Sequence, residues 1–222
     1  MRTGSVRAAV HPSAKVTLKL ATSVLATLKV KGRAPKTGYS RSLFSDGWAD
    51  IAVCSAGGVV DTRNFILMRD LVQKSYKAPG GCVVASGVLH DPYTGKTINF
   101  VRGVSTSLAV QIDHVVPLSD AWQKGAQQIS ADARFSLYND PNNLIAVDGP
   151  TNGAKSDSDA ASWLPPNKAY RCKYVARQIF VKAKYHLWVT SAERDAMARV
   201  LAACPKQTVP AAQMTANLVA KR

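Results

Sequence analysis

The stretch Gln111-Ile112-Asp113-His114-Val115-Val116-Pro117-Leu118 places an acid and a histidine side by side at the end of an apolar run. A second apolar run, Leu144-Ile145-Ala146-Val147, follows the pair Asn142-Asn143, and Asn152 and Lys155 come shortly afterwards. A one-metal phosphodiesterase needs a hard oxygen ligand, a general base beside it and an amide oxygen that completes the metal site. This order of residue types therefore indicates metal-dependent phosphodiester hydrolysis.

Both apolar runs have the length of strands. The first run, over 108–112, delivers Asp113 and His114 at its end, and the second is long enough to pair with it. The predicted elements that follow are a helix around 119–128, a mostly irregular segment over 134–143 and a helix from Asn152 to Trp163, which Pro165 and Pro166 stop.

The flanking sequence predicts a helix and a hairpin before the two apolar runs and helices after them. Asp61 or Thr62 is a candidate N-cap for a helix over 65–72. The C-terminal third is helical, and Thr190-Ser191-Ala192-Glu193 has the pattern of a capping box at the start of its last helix. The predicted hairpin has its strands at 83–89 and 97–101.

The first part of the chain, residues 1–38, is expected to be a signal peptide or a flexible basic segment. Four cations precede a short apolar run over 20–28, which resembles a signal peptide, with an amphipathic helix as the competing interpretation. The folded domain is expected over 39–205 and a flexible tail over 206–222. No segment reaches the ~20 uninterrupted apolar residues that a transmembrane helix needs.

The charge of the chain is strongly positive. Lys and Arg total 29 against 14 Asp and Glu, which gives a formal net charge of +15 and a pI near 9.9. A field of this sign attracts polyanions such as nucleic acid. The alternative is a basic tail on an indifferent core, but Lys and Arg continue through the compact region, as at Lys124, Lys173 and Lys182.

The cysteines Cys54, Cys82, Cys172 and Cys204 are widely spaced and form no CxxC pair, which disfavours a zinc finger or a thioredoxin-like site. Of the three possible pairings, Cys54–Cys82 with Cys172–Cys204 is favoured because each pair bounds one contiguous half of the fold. Two disulfides indicate an oxidising compartment and hence secretion. Four reduced thiols in a cytoplasmic protein are the alternative.

Together these motifs resemble the HNH, or His-Me finger, endonuclease superfamily, and within it the GmrSD-type HNH family of small secreted nucleases. The resemblance covers about residues 35–205. It depends on the ordered set of motifs rather than on any one of them. They are the runs 110–116, 139–144 and 151–155, together with Asp61-Thr62-Arg63-Asn64, Asp91-Pro92-Tyr93-Thr94-Gly95, Trp163-Leu164-Pro165-Pro166-Asn167 and Tyr170-Arg171-Cys172-Lys173-Tyr174.

The resemblance implies a role for each signature position. His114 would be the general base, Asp113 and Asn152 would be the two protein ligands of one divalent ion, and Asn143 would brace the loop and orient the histidine backbone. Many HNH enzymes carry histidine at the position of Asn152; asparagine there shifts the preference toward Mg²⁺ or Mn²⁺. Relatives commonly carry cysteine at the position of Val60, which weakens the case for Cys54–Cys82.

The expected protein is thus a monomeric α+β domain with a ββα-metal core, an N-terminal helix and hairpin region and a helical C-terminal cap. Its expected activity is endonucleolytic hydrolysis of DNA, with RNA as an alternative substrate, at low sequence specificity. The alternatives are an inactive HNH scaffold that binds nucleic acid and a secreted cationic protein that binds other polyanions. Candidate contacts to the nucleic acid are Lys155, Arg134, Arg102 and Arg63.

Overall fold

The computed structural model describes residues 18–52, 59–211 and 218–219. Its helices and strands alternate irregularly, as in an α+β fold. The helices are α1 (Ala21–Leu25), α2 (Thr62–Asp70), α3 (Leu118–Gln123), α4 (Ala131–Asn139), α5 (Gly149–Lys155), α6 (Arg171–Lys184) and α7 (Ser191–Ala202). The strands are β1 (Asp50–Ala52), β2 (Val59–Asp61), β3 (Leu71–Tyr76), β4 (Val84–His90), β5 (Thr97–Val101), β6 (Val110–His114), β7 (Leu144–Asp148) and β8 (Leu218–Val219).

The strands form three small antiparallel sheets. The predicted pairing of the two apolar runs is confirmed: β6 pairs with β7, so that Asp113 faces Ile145 and His114 faces Leu144. The predicted hairpin is confirmed as β4 and β5, and β3 extends it to three strands. The third sheet has the order β2-β1-β8.

The sheet of β3, β4 and β5 packs beside the β6–β7 pair through one apolar cluster, which α2 completes. The predicted cap of α2 is confirmed at Asp61, whose side chain accepts a hydrogen bond from the backbone N–H of Asn64 at 2.7 Å. This cap orients α2 so that Ile66 and Leu67 are fully buried against the strands.

Helix α5 follows β7 directly and is shorter than predicted. The Asp148 side chain caps it by accepting from Thr151 N–H at 2.8 Å. A Cβ at Gly149 would collide with the carbonyl oxygen of Leu108, so glycine permits α5 to start against the segment that leads into β6. The predicted extension to Trp163 is wrong, because Ser156 has φ +50° and ends the helix.

The segment 134–143, predicted to be mostly irregular, instead contains most of α4. The Ser130 side chain caps this helix by accepting from Ala133 N–H at 3.2 Å. Its buried residues, Leu137 to Asn139, are consecutive at its C-terminal end. They therefore do not produce the helical spacing that would have identified α4 in the sequence.

The segment 18–38, predicted to be a leader or flexible, packs on the folded domain where it is described. The backbone of Leu20 bridges to Thr208, and Val30 bridges in parallel to Val189. Ala21 and Leu25 are buried among the residues of α6 and α7. Part of the apolar run forms the helix α1, the competing interpretation of this run, and this helix covers part of the core.

The predicted flexible tail, 206–222, also contributes to the fold where it is described. Val209 is buried and donates its N–H to the Lys19 carbonyl at 3.0 Å. Residues 218–219 form β8 beside β1. The last predicted helix is confirmed as α7, with Thr190 accepting from Glu193 N–H at 3.1 Å.

The Glu193 side chain does not close the predicted capping box, because it belongs to a buried ion cluster. In this cluster Lys124 Nζ lies 2.6 Å from Asp120, 2.7 Å from Asp159 and 2.6 Å from Glu193. Lys182 Nζ lies 3.2 Å from Asp120 and 2.9 Å from Glu193. Lys124 and Lys182 are therefore neutralised inside the fold and do not contribute to the outward basic surface predicted from the sequence.

The predicted disulfide Cys172–Cys204 is confirmed, with 6.4 Å between its Cα atoms. It ties the start of α6 to the end of α7. Cys82 is disulfide-bonded as well, but its predicted partner Cys54 lies outside the described residues. Within the described ranges, no helix has the length and apolar character needed to cross a membrane.

We expect Glu193→Gln to lower the free energy of unfolding by about 3 kcal/mol, because it leaves two buried ammonium groups short of a carboxylate. Asp195→Asn is the matched control on the same helix, since Asp195 is exposed and pairs with the exposed Arg194. This control should change the free energy by less than about 0.5 kcal/mol. Urea denaturation measures both, and equal effects would contradict a structural role for the cluster.

Candidate functional site

A polar cleft of about 420 Å³ opens where β6 meets α5. Asp113 and His114 reach it from the end of β6, and Asn152 reaches it from α5. The three residues predicted as base and metal ligands thus share one cleft, although Asn152 is separated from the other two by α3, α4 and β7. Tyr39 and Arg41 form part of the same wall.

The carboxylate of Asp113 is held by two buried donors. Lys155 Nζ lies 2.9 Å from Oδ1 and also donates to the carbonyl oxygen of His114 at 3.0 Å. The Tyr93 hydroxyl donates to Oδ2. Burial and the adjacent Asp113 charge raise the pKa of Tyr93 well above its ordinary value, so the hydroxyl keeps its proton. These contacts fix the direction of the carboxylate.

The oxygen atoms at this cleft suit a hard divalent cation. Each carboxylate oxygen has two lone pairs, so one donor on each leaves capacity on Asp113. Asn152 donates its amide N–H to Gln111 Oε1 at 2.9 Å, which leaves its own Oδ1 as an acceptor. Mg²⁺ takes few protein oxygens and keeps several waters. Among the described residues no group of three or more His, Cys, Asp or Glu side chains could hold a metal ion.

The imidazole of His114 is held by a hydrogen bond at its edge and by an aromatic ring on one face. Its Nε2 lies 2.9 Å from the carbonyl oxygen of Tyr138, at the end of α4. Since a carbonyl only accepts, Nε2 carries the proton and Nδ1 is the basic nitrogen. The Trp48 ring stacks on the imidazole at 5.7 Å between centroids and 11° between planes. The tautomer and the ring orientation are therefore both determined by neighbours.

The surroundings of His114 favour its neutral form. Burial lowers the pKa of the imidazole to about 3, and the charges of Arg41 and Lys155 act in the same direction. The hydrogen bond to the Tyr138 carbonyl opposes this shift. The ring is consequently an uncharged proton acceptor at neutral pH.

Asn143 braces the loop that follows His114. Its Oδ1 accepts from Val116 N–H at 2.8 Å, and its Nδ2 donates to the Val116 carbonyl at 3.3 Å. Its own carbonyl accepts from Val115 N–H at 2.7 Å. The side chain is fully buried and does not line the cleft, so its contacts are with the backbone beside the histidine.

Two arginines that sequence analysis did not identify hold the turn that carries Asn143. Arg177 of α6 donates to the carbonyls of Asn142 at 2.6 Å and Leu144 at 2.7 Å. Arg69 of α2 donates to the same Leu144 carbonyl at 2.7 Å and to Pro141 at 2.7 Å. Their targets are backbone atoms far away in the sequence, so no local signal could have revealed them.

The residues predicted to contact nucleic acid do not line the cleft. The Lys155 ammonium is fully buried, and it contacts the Asp113 carboxylate instead of facing the cleft. Arg102 donates to the Val84 carbonyl at 2.6 Å, and Arg134 donates to the Ile129 carbonyl at 2.6 Å. Arg63 reaches toward the Val110 carbonyl at 3.5 Å. These guanidinium groups bind the protein's own backbone.

Arg41 and Trp48, which the sequence analysis left out, complete the surroundings of His114. Arg41 lies over the Tyr138 ring at 5.2 Å and is exposed at the mouth of the cleft. Arg41 lies near the start of the predicted domain, where one basic residue among many carried no distinguishing signal. Only its proximity to the histidine in the folded chain identifies it.

Comparisons with known proteins show which family the chain resembles. Residues 61–200 match the family described as GmrSD restriction endonucleases, C-terminal domain. A protein of Arthroderma benhamiae, named "Uncharacterized secreted protein", is 39% identical over 186 residues, which are 83% of this chain and 84% of the relative. No solved structure matches the chain.

We expect His114 to remain uncharged between about pH 5 and 8, so its ring-proton NMR resonances should not titrate there in EDTA-treated protein. In the unfolded chain His114 binds a proton near pH ~6.5, whereas in the folded chain it does not. The free energy of unfolding should therefore fall as the pH decreases below that value. The fall should continue to the folded pKa of about 3.

Urea denaturation of the wild type and of His114→Gln at several pH values measures the pH dependence that His114 contributes to the free energy of unfolding. The variant should lose this part of the pH dependence. A His114 resonance with a midpoint near pH ~6.5 would contradict the expected burial effect.

Proposed function

The chain belongs to the family of GmrSD restriction endonuclease C-terminal domains, and from this membership we propose that it is an HNH-type endonuclease. Its proposed reaction is the metal-dependent hydrolysis of phosphodiester bonds in DNA, with RNA as an alternative substrate. The observation that carries the proposal is the shared cleft, which Asp113, His114 and Asn152 line together.

His114 is proposed as the general base that takes a proton from the attacking water. The neutral ring with its proton on Nε2 has Nδ1 available for this step. Burial lowers the basicity of the ring in the free protein, but a bound phosphodiester would bring a negative charge beside it. An opposite charge nearby raises the pKa of an imidazole, so the substrate itself would strengthen the base.

Asp113 and Asn152 are proposed to hold one divalent ion, with Mg²⁺ or Mn²⁺ favoured by their oxygen donors. The ion would supply neutralisation of the negative charge that develops on the phosphate and on the leaving oxygen. Lys155 and Tyr93 keep the Asp113 carboxylate in one direction, and Gln111 orients the Asn152 amide. The protein thus provides oxygens that need little reorganisation when the ion binds.

Asn143 is proposed as a positioning residue. It holds the backbone of Val115 and Val116, immediately after His114, and the arginine pair on its turn keeps it in place. Because it acts through the backbone, its loss should misplace the base without removing it.

We propose a secreted, monomeric enzyme with low sequence specificity. The disulfide Cys172–Cys204 and the secreted relative support export. The low specificity follows from the sequence, in which no element for reading bases is evident, so that phosphate contacts would supply most of the affinity.

The test is plasmid nicking with Mg²⁺ or Mn²⁺. We expect wild-type cleavage that EDTA abolishes, and a rate lowered by about 10²–10⁴ in His114→Ala, because a positioned base contributes that much. His90→Ala is the matched control, since His90 is exposed on β4 and outside the cleft, and it should cleave at the wild-type rate.

A second pair of variants tests the ligand role of Asn152. Asn152→Asp retains an oxygen donor and should keep measurable cleavage, whereas Asn152→Ala should lose it. Nucleic-acid binding by the wild type without cleavage in either metal would refute the enzyme and favour an inactive scaffold.

A further inference from the structure

Residues 29–41, here called the basic segment, carry five cations and no acid. They are Lys29, Lys31, Arg33, Lys36 and Arg41. The segment precedes the range 61–200 that matches the family, so the family match does not account for it. Its cations are all exposed.

The backbone of the basic segment is anchored over residues 29–34. Lys31 N–H donates to the Val189 carbonyl at 3.0 Å, and Val189 N–H donates to the Lys29 carbonyl at 3.0 Å. Trp188 Nε1 donates to the Gly32 carbonyl at 3.0 Å. Ala34 N–H donates to the Gln123 carbonyl at 2.8 Å. Lys29 and Lys31 therefore project from a hydrogen-bonded backbone, which lowers the entropy cost of binding a ligand.

The basic segment leads into the cleft. Tyr39 and Arg41, at its C-terminal end, line the cleft together with His114. Lys36 donates to the Asp157 carboxylate at 3.2 Å, and Asp157 lines the cleft as well. The basic segment thus runs from its contacts with Trp188 and Val189 to the cleft that His114 lines.

Three of its cations have no acidic partner among the described residues. Arg33 pairs with Asp120 and Asp159, and Lys36 pairs with Asp157, so these two help to anchor the segment. Lys31 instead lies over the Trp188 ring at 5.2 Å, and Arg41 lies over Tyr138. Together with Lys29, they present three uncompensated positive charges to solvent.

We propose that the basic segment is a docking surface for the phosphodiester backbone of a nucleic acid and directs it into the cleft. This inference rests on the proposed function, because the cleft determines where the bound backbone leads. Lys29, Lys31 and Arg41 each neutralise a phosphate. Cations that are buried or bonded within the protein, such as Lys124, Lys155 and Arg102, do not contact the nucleic acid. The contacts are to phosphates, so binding depends on salt and not on base sequence.

The test measures binding in EDTA, where no cleavage can interfere. Fluorescence anisotropy with a labelled duplex DNA and a labelled single-stranded RNA follows the affinity from about 50 to 200 mM NaCl. For Lys29→Gln/Lys31→Gln/Arg41→Gln we expect the slope of log K against log salt on duplex DNA to decrease in magnitude by about 2–3, since each lost phosphate contact removes about 0.9. The affinity should fall at least about 10-fold at low salt.

Two further variants control for charge and folding. Lys168→Gln/Arg199→Gln/Lys206→Gln removes the same charge from exposed sites outside the cleft and should leave the slope unchanged. Lys29→Gln/Lys31→Gln keeps Arg41 and should still reduce the slope by about 2. Thermal melting by circular dichroism should show wild-type stability for all three variants.

Reduced slopes in the basic-segment variants alone support the inference, and the probe that shows them identifies the nucleic acid. Equal losses in the control triple variant, or no measurable binding by the wild type, would overturn it. If the wild type binds but never cleaves, the proposed hydrolysis fails while the docking surface stands. If cleavage occurs and the slopes are unchanged, only the docking surface fails.

Discussion

The buried ion pair between Lys155 and Asp113 determines how the candidate site is assembled. Lys155 is the last residue of α5, and its ammonium reaches both the Asp113 carboxylate and the His114 carbonyl at the end of β6. A buried charge without its partner costs several kcal/mol, so α5 must stay docked against β6. Asn152 lies three residues earlier on the same helix. The ion pair between Lys155 and Asp113 therefore fixes the distance between Asn152 and Asp113, although the Lys155 side chain does not line the cleft.

The histidine depends on a second set of constraints, which comes from the opposite side. The end of α4 supplies the carbonyl that fixes the tautomer of His114, and Asn143 holds the backbone that follows it. Arg69 from α2 and Arg177 from α6 converge on the turn of Asn143. Each bond to a carbonyl satisfies a backbone group that would otherwise be buried without a partner. The site is thus rigid because elements from most of the chain meet at one turn.

The distribution of charge explains how a protein with a net charge of +15 can have a core that contains lysines. Lys124, Lys155 and Lys182 are fully buried and face carboxylates. Other cations bind backbone carbonyls, whereas those of the basic segment remain exposed. The net charge therefore determines how strongly the protein attracts an anionic ligand from a distance. Burial decides which of its cations can contact that ligand.

The sequence by itself predicted the β6–β7 pair, the hairpin of β4 and β5, an N-cap at Asp61 or Thr62, the Thr190 cap and the Cys172–Cys204 disulfide. It also indicated the family, through the order of its motifs. Apolar periodicity and capping depend on residues a few positions apart, so they can be recognised in the sequence. Only the tertiary structure revealed α4, the packing of residues 18–38, the buried ion cluster and the partners of His114 and Lys155. These features depend on contacts between residues that are distant in the sequence. Burial in the folded protein decides which of these residues come into contact.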